Sequence, residues 1–121
     1  MHAVIADRSN NVLILLFQGR FSAEDGVNLL EKVEARLKHL APGFKILNDM
    51  SELEEMSYDS SLYHKKVMDL CNQRGVNKVA RVIPDQSKDI GFNIMSAFHY
   101  DKSVLIKTFA TRDQAWEFIS S

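Results

Sequence analysis

One cysteine, two prolines and five glycines spread over 121 residues leave little from which to build the commonest recognisable sites. A lone Cys71 can form neither an internal disulfide nor a multi-cysteine metal site, and its helical spacing from Val67 reads as a packed core thiol. Gly19, Gly26, Gly43, Gly75 and Gly91 stand too far apart for a phosphate-cradling loop, a nucleophile elbow or a dinucleotide fingerprint. His2, His39, His64 and His99 have none of the short spacings of zinc sites, so no metal and no cofactor is expected. Long apolar runs are missing too. The longest, residues 12–17, is far below the roughly 20 residues that cross a bilayer, which excludes an integral membrane helix. The first residues lack a basic segment followed by an apolar stretch of signal-peptide length, and a cytoplasmic location is expected. There is no surplus of positive charge: 15 Lys and Arg stand against 16 Asp and Glu. Nucleic-acid binding, which draws on such a surplus to displace counterions, is not expected.

What remains is an ordinary globular composition, 45% hydrophobic and 26% charged. The length suits a single domain over residues 1–121 with one buried core. Residues 3–6 and 12–17 are short apolar runs around a polar turn, Asp7 to Asn11, and predict an antiparallel hairpin. The second run is apolar at both parities, as in a central strand covered on both faces. Ser22 followed by Asp25 three positions later predicts the capped start of a helix. Its stripe is read as Val27, Leu30, Val33, Leu37 and Leu40, ended by Pro42 and Gly43. A short strand over 44–47 is expected to give way at Asp49 to an acidic loop with Glu52, Glu54 and Glu55. The next helix, from about Tyr58 to Ser61 onward, turns Tyr63, Val67, Leu70 and Cys71 inward and stops at Gly75. A strand over 76–83, a helix over 87–98 capped by Ser87, a strand over 104–109 and a terminal helix capped by Thr111 complete the chain. That last helix should turn Ala115, Phe118 and Ile119 inward. The alternation predicts an α/β fold: a single-domain mixed, mostly parallel five-stranded sheet with four helices.

This succession, with the strand and loop from Ile46 to Met56 (ILNDMSELEEM), resembles the STAS family of sulfate-transporter and anti-sigma-factor-antagonist domains, the SpoIIAA-like fold. The segment from Arg81 to Asp85 leading into Asp89 to Asn93 is similar to an uncharacterised bacterial STAS-like group. The resemblance implies a non-enzymatic regulatory or protein-interaction module with a protein partner of unknown identity. It also implies a candidate phosphorylation site, because regulatory members carry a Ser or Thr beside an Asp and before a Gly at the start of the second helix. Here Asp59 and Ser60 fall two positions late and Leu62 replaces the glycine, so Ser60 and Ser61 are expected not to be obligate switch residues. They can equally cap the helix.

Two other functional classes stay open. One is a small-molecule or lipid-head-group binding domain, and the other an enzyme, for which His99 with Asp101 could act as an acid-base pair and Ser51 or Ser87 as nucleophile. If strands two to four run parallel, Arg20, Asp49 with Ser51, and Asp85 with Ser87 and Lys88 leave the sheet at its carboxyl edge, where open α/β sheets bind ligands. The plainer reading pairs Arg20 with Asp49, makes Ser87 a cap and leaves Lys88 in solvent. In the third helix Ile90, Ile94, Ala97 and Phe98 form one expected face. Phe92 and Met95 form another, covered either by a neighbouring helix or by a second copy in a homodimer.

Overall fold

The computed structural model describes residues 2–85 and 90–121. Strand β1, His2–Asp7, turns back into β2, Val12–Phe21, and the two pair antiparallel from His2 opposite Phe17 to Asp7 opposite Val12. The turn is held by Asp7, whose carboxylate accepts from the Asn10 main chain and side chain, and by Asn11 in the left-handed region at φ 56°. Asn readily adopts that conformation. Helix α1, Ala23–Leu37, precedes β3, Lys45–Met56. A single 3-10 turn, Tyr58–Ser60, leads into α2, Ser61–Gln73, and then come β4, Lys78–Val82, and α3, Ile90–His99. Strand β5, Leu105–Phe109, and helix α4, Arg112–Ser120, follow. The sheet order is β1-β2-β3-β4-β5, with β2 to β5 parallel. This is the mixed five-stranded α/β sheet with four helices that the alternation predicts.

The two parities of β2 go to two different cores. Leu13, Leu15 and Phe17 join Ile46, Met50 and Val79 beneath α1, α2 and α3, together with Leu29, Val33, Val67, Met68 and Cys71. Val12, Ile14, Leu47, Ala80 and Val82 meet Ala115 and Ile119 of α4 on the opposite face. A strand buried on both sides has no polar parity, hence its continuous apolar run.

Three expectations need correction. First, β2 does not end at Phe17, nor β3 at Leu47. Gln18 to Phe21 continue alongside Glu52 to Met56, with register shifts between Leu16 and Gln18 and between Gly19 and Arg20. Those irregularities break the two-residue alternation and disguise a strand as an acidic loop. Second, the stripe of α1 is Gly26, Leu29, Val33 and Leu37, whereas Val27 is exposed. The helix is rotated so that Gly26 abuts α2: a Cβ there would lie 2.7 Å from Tyr63 Cδ2 and 2.8 Å from its Cβ. Third, α3 is turned from the expected orientation. Phe92 and Met95 are partly buried against the three-helix core, while Ile94 is 56% exposed and Ala97 is exposed. The side chains of Ile90 and Phe98 lie outside those described. The reason is polar: Arg81 of β4 is fully buried under this helix and donates from Nη1 to Ser96 Oγ at 2.8 Å. A helix that presents Ser96 to the sheet must bring in its neighbours at helical spacing, Phe92 among them. Phe92 and Met95, the pair that a second copy could have covered, thus pack against the interior.

Candidate functional site

Parallel strands bring their carboxyl ends, and the amino ends of the helices that follow them, to one edge of the sheet. Asp49, Val82 and Phe109 share one register row at that edge. Beyond it only β2 and β3 continue. Phe21 is buried in the three-helix core, so alternation turns Gln18 and Arg20 to the other face. Gln18 Nε2 donates to Glu52 Oε2 at 2.6 Å, and Arg20 Nε lies 3.3 Å from Glu55 Oε2. Asp49 Oδ1 accepts from the Ser51 main chain at 3.0 Å and from its hydroxyl at 2.6 Å, while Asp49 Oδ2 faces Arg112 Nη1 of α4 at 3.8 Å.

Of the candidate residues, Arg20, Asp49 and Ser51 gather at this edge, in different pairs from the expected one: Arg20 with Glu55, and Asp49 with Ser51 and Arg112. Asp85 follows β4 there and is exposed; Ser87 and Lys88 lie outside the described residues. Neither Glu55 nor Arg112 was legible as a partner. Glu55 depends on the unforeseen length of β3, and Arg112 only on where α4 begins.

At this edge the starts of α1, of the 3-10 turn and of α4 carry side-chain caps. Ser22 Oγ accepts from the Asp25 main chain at 3.2 Å, and Asp25 Oδ2 accepts from the Ser22 main chain at 2.9 Å, a reciprocal cap that fills two orphan donors. The bond from the Ser22 N–H is the chief reason the Asp25 carboxyl titrates below its usual range. Ser57 Oγ accepts from Ser60 N–H, Thr111 Oγ1 accepts from Gln114 N–H, and Ser57 N–H donates to Phe21 C=O. Between these starts lies a cleft of about 180 Å³ lined by Arg20, Phe21, Ser22, Glu55 and Ser57. Beside it a groove of about 390 Å³ runs along Ala23, Tyr58, Asp59, Ser61, Leu62, Tyr63 and Lys65. Tyr58 is 91% exposed and Leu62 is exposed as well, an unusual placement for two large side chains at a helix start. Ser60 is fully buried and its hydroxyl donates to Ser57 C=O at 2.6 Å, whereas Ser61 is partly exposed and donates to Tyr58 C=O at 2.8 Å.

Among the described residues the groups considered for catalysis do not meet; Ser87 lies outside them. His99 Nδ1 lies 2.6 Å from Asp69 Oδ1 of α2, not against Asp101, whose carboxylate accepts from Ser103 N–H. Ser51, bonded to Asp49, is at the carboxyl edge, while His99 ends α3 at the other end of the sheet. Cys71 is buried and its thiol is pushed up to about 12, so it stays protonated and unreactive. His64 is buried among Phe17, Phe21 and Phe92, with ring centroids at 5.6, 5.0 and 5.9 Å, and burial holds its pKa at about 4. Its Nε2 has no hydrogen-bond partner. Among the described residues no three His, Cys, Asp or Glu side chains converge closely enough to hold a metal, and no helix is long and apolar enough to cross a membrane.

Comparison with known proteins agrees with this architecture. Among curated proteins none matches the sequence. An uncharacterised protein with a SpoIIAA-like fold from Shewanella loihica PV-4 superposes with a TM-score of 0.76 at 18% identity, over 98% of this chain and 93% of its own. The anti-sigma factor antagonist SpoIIAA in its unphosphorylated form gives 0.67 at 11% identity, over 98% of this chain and 97% of its own. An anti-sigma factor antagonist from Mycobacterium paratuberculosis gives 0.65 at 12% identity, over 100% and 96%. The sequence itself matches the SpoIIAA-like family over residues 12–120, and the chain belongs to that family.

Proposed function

We propose that this chain is a non-enzymatic, cytoplasmic regulatory module that works by binding a protein partner at the carboxyl edge of its sheet. The SpoIIAA-like fold, shared with anti-sigma factor antagonists, supports a protein-binding role. The observation that carries the reading is the exposed pair Tyr58 and Leu62, set beside the Arg20 and Glu55 ion pair. An exposed tyrosine next to an exposed leucine and rimmed by charges has the make-up of a binding hot spot: an amphipathic anchor with a polar surround. A small-molecule site is favoured less. The cleft at Arg20 is smaller than the roughly 300 to 1,000 Å³ of drug-sized sites, and the starts of α1, of the 3-10 turn and of α4 already hold amides in caps.

Ser60 and Ser61 are not obligate switches in this reading. Phosphate on Ser60 would require its buried hydroxyl to leave the Ser57 carbonyl and emerge. The test is affinity capture from the native cell with the wild type and with Tyr58→Ala and Leu62→Ser. Loss of the same captured protein from both folded variants supports the reading, and undiminished capture overturns it. Stoichiometric phosphate on Ser60 in protein from that cell would overturn the switch assignment.

A further inference from the structure

The sheet has two open sides, and they are built differently. Strand β5 is five residues long and carries Lys107, whose Nζ sits 5.5 Å from the Phe109 ring. A lysine on a short edge strand is a usual device against unwanted pairing. Strand β1 has no such protection. It runs for six residues, HAVIAD, with neither Lys nor Pro, and its register with β2 is unbroken. Among the described residues β1 pairs with β2 alone, and its backbone makes no hydrogen bond outside that ladder. Half of its N–H and C=O groups therefore point outward, ready for another strand.

Alongside this edge runs a groove of about 500 Å³, lined by Val4, Ile5 and Ala6 of β1, by Arg8 of the turn, and by Arg36 and His39 at the end of α1. Ile5 is 45% exposed, and Arg8, Arg36 and His39 are exposed. Neither arginine takes part in an ion pair among the described residues. The one carboxylate on β1, Asp7, is held by Asn10 and does not line the groove. The lining is thus an apolar strand edge flanked by two uncompensated cations and a histidine.

We infer that β1 is a docking edge for an extended acidic segment of a partner protein, which adds to the sheet as a sixth strand and sets its carboxylates against Arg8 and Arg36. Main-chain pairing along His2–Asp7 supplies affinity, Ile5 takes an apolar side chain, and the cations select charge. A second copy of this chain offers less to the cations: its own β1 carries a single carboxylate, Asp7, and that one is already held by Asn10. This edge is separate from Tyr58 and Leu62, so each site can fail its test without the other.

The probes are four labelled octapeptides with serine at both ends: alternating valine and glutamate, valine and lysine, valine and serine, and the glutamate peptide with two central residues replaced by proline. Fluorescence anisotropy and amide exchange on the full chain report binding. The valine-glutamate peptide is expected to bind, to slow exchange of outward β1 amides, and to weaken by at least about tenfold with the Arg8→Glu, Arg36→Glu double variant. Both substitutions are at exposed positions, and circular dichroism verifies that the variant is folded. Tyr58→Ala should leave this binding unchanged. The inference is overturned by no binding at millimolar peptide, by equal binding of the lysine or proline peptides, by unchanged β1 exchange, or by ultracentrifugation showing a dimer that Ile5→Lys dissolves.

Discussion

The two faces of the sheet solve the burial problem differently. One carries three helices and a core that includes Phe17, Phe21 and Phe44; the other carries α4 alone over Val12, Ile14, Leu47, Ala80 and Val82. Beyond α4, at the carboxyl end, the second face is paved with paired polar side chains, Gln18 with Glu52 and Arg20 with Glu55. Stability should therefore reside under the three helices, while the carboxyl end tolerates change. The largest expected departure comes from Arg81, among the described residues the one cation buried within the three-helix face. Arg81→Ala should cost ~3 kcal/mol or more, since it leaves a cavity and strips the Ser96 hydroxyl of its donor. Denaturant unfolding measures it, and a loss under ~1 kcal/mol would mean that this face does not dominate.

Acid should act through the same face. His64 has a folded pKa of about 4 against an ordinary 6.5, so between those values the unfolded chain binds more protons than the folded one. Its contribution is intact above pH 6.5, falls as pH is lowered towards 4, and levels off below, a loss of ~3 kcal/mol for a shift of this size. His64→Phe should flatten that part of the stability profile between pH 6.5 and 4. An unchanged slope would place the acid sensitivity elsewhere.

Gly26→Ala should destabilise by ~1 to 2 kcal/mol although alanine favours helix, because the added methyl meets the Cβ and ring of Tyr63 and α2 must yield. Thermal melts of the single variant and of Gly26→Ala with Tyr63→Ala separate the clash from helix propensity: the second change should recover part of the loss. The smallest effect is expected at the polar end. Arg20→Ala breaks an ion pair whose two members are largely solvent-exposed, and should alter stability by less than ~0.5 kcal/mol.

Element types and their order were legible because hydrophobic period is local. The hairpin, the capped start at Ser22 and the left-handed stop at Gly75 follow from a few adjacent residues, and the structure places Gly75 at φ 90°. What escaped was set by packing between distant segments. The rotation of α1 depends on Tyr63, 37 positions away, and that of α3 on Arg81 beneath it. The extension of β3 depends on its bulged register with β2, which hides Glu55 as the partner of Arg20. The edge itself was foreseeable from parallel topology, but its pairs were not. Tyr58 and Leu62 gave no signal in sequence, since an apolar side chain at a helix start is ordinarily assigned to the interior.

The division between a stabilising face and a serviceable edge can be tested in the native cell. A photoreactive amino acid placed at position 58, and in a second strain at the exposed Glu34 position on α1, is irradiated and the adducts are resolved by mass. We predict one dominant protein adduct from position 58, absent from position 34 and lost when Leu62→Ser is added to the first strain. No adduct at 58, or the same adduct from both positions, would contradict a partner site at the carboxyl edge.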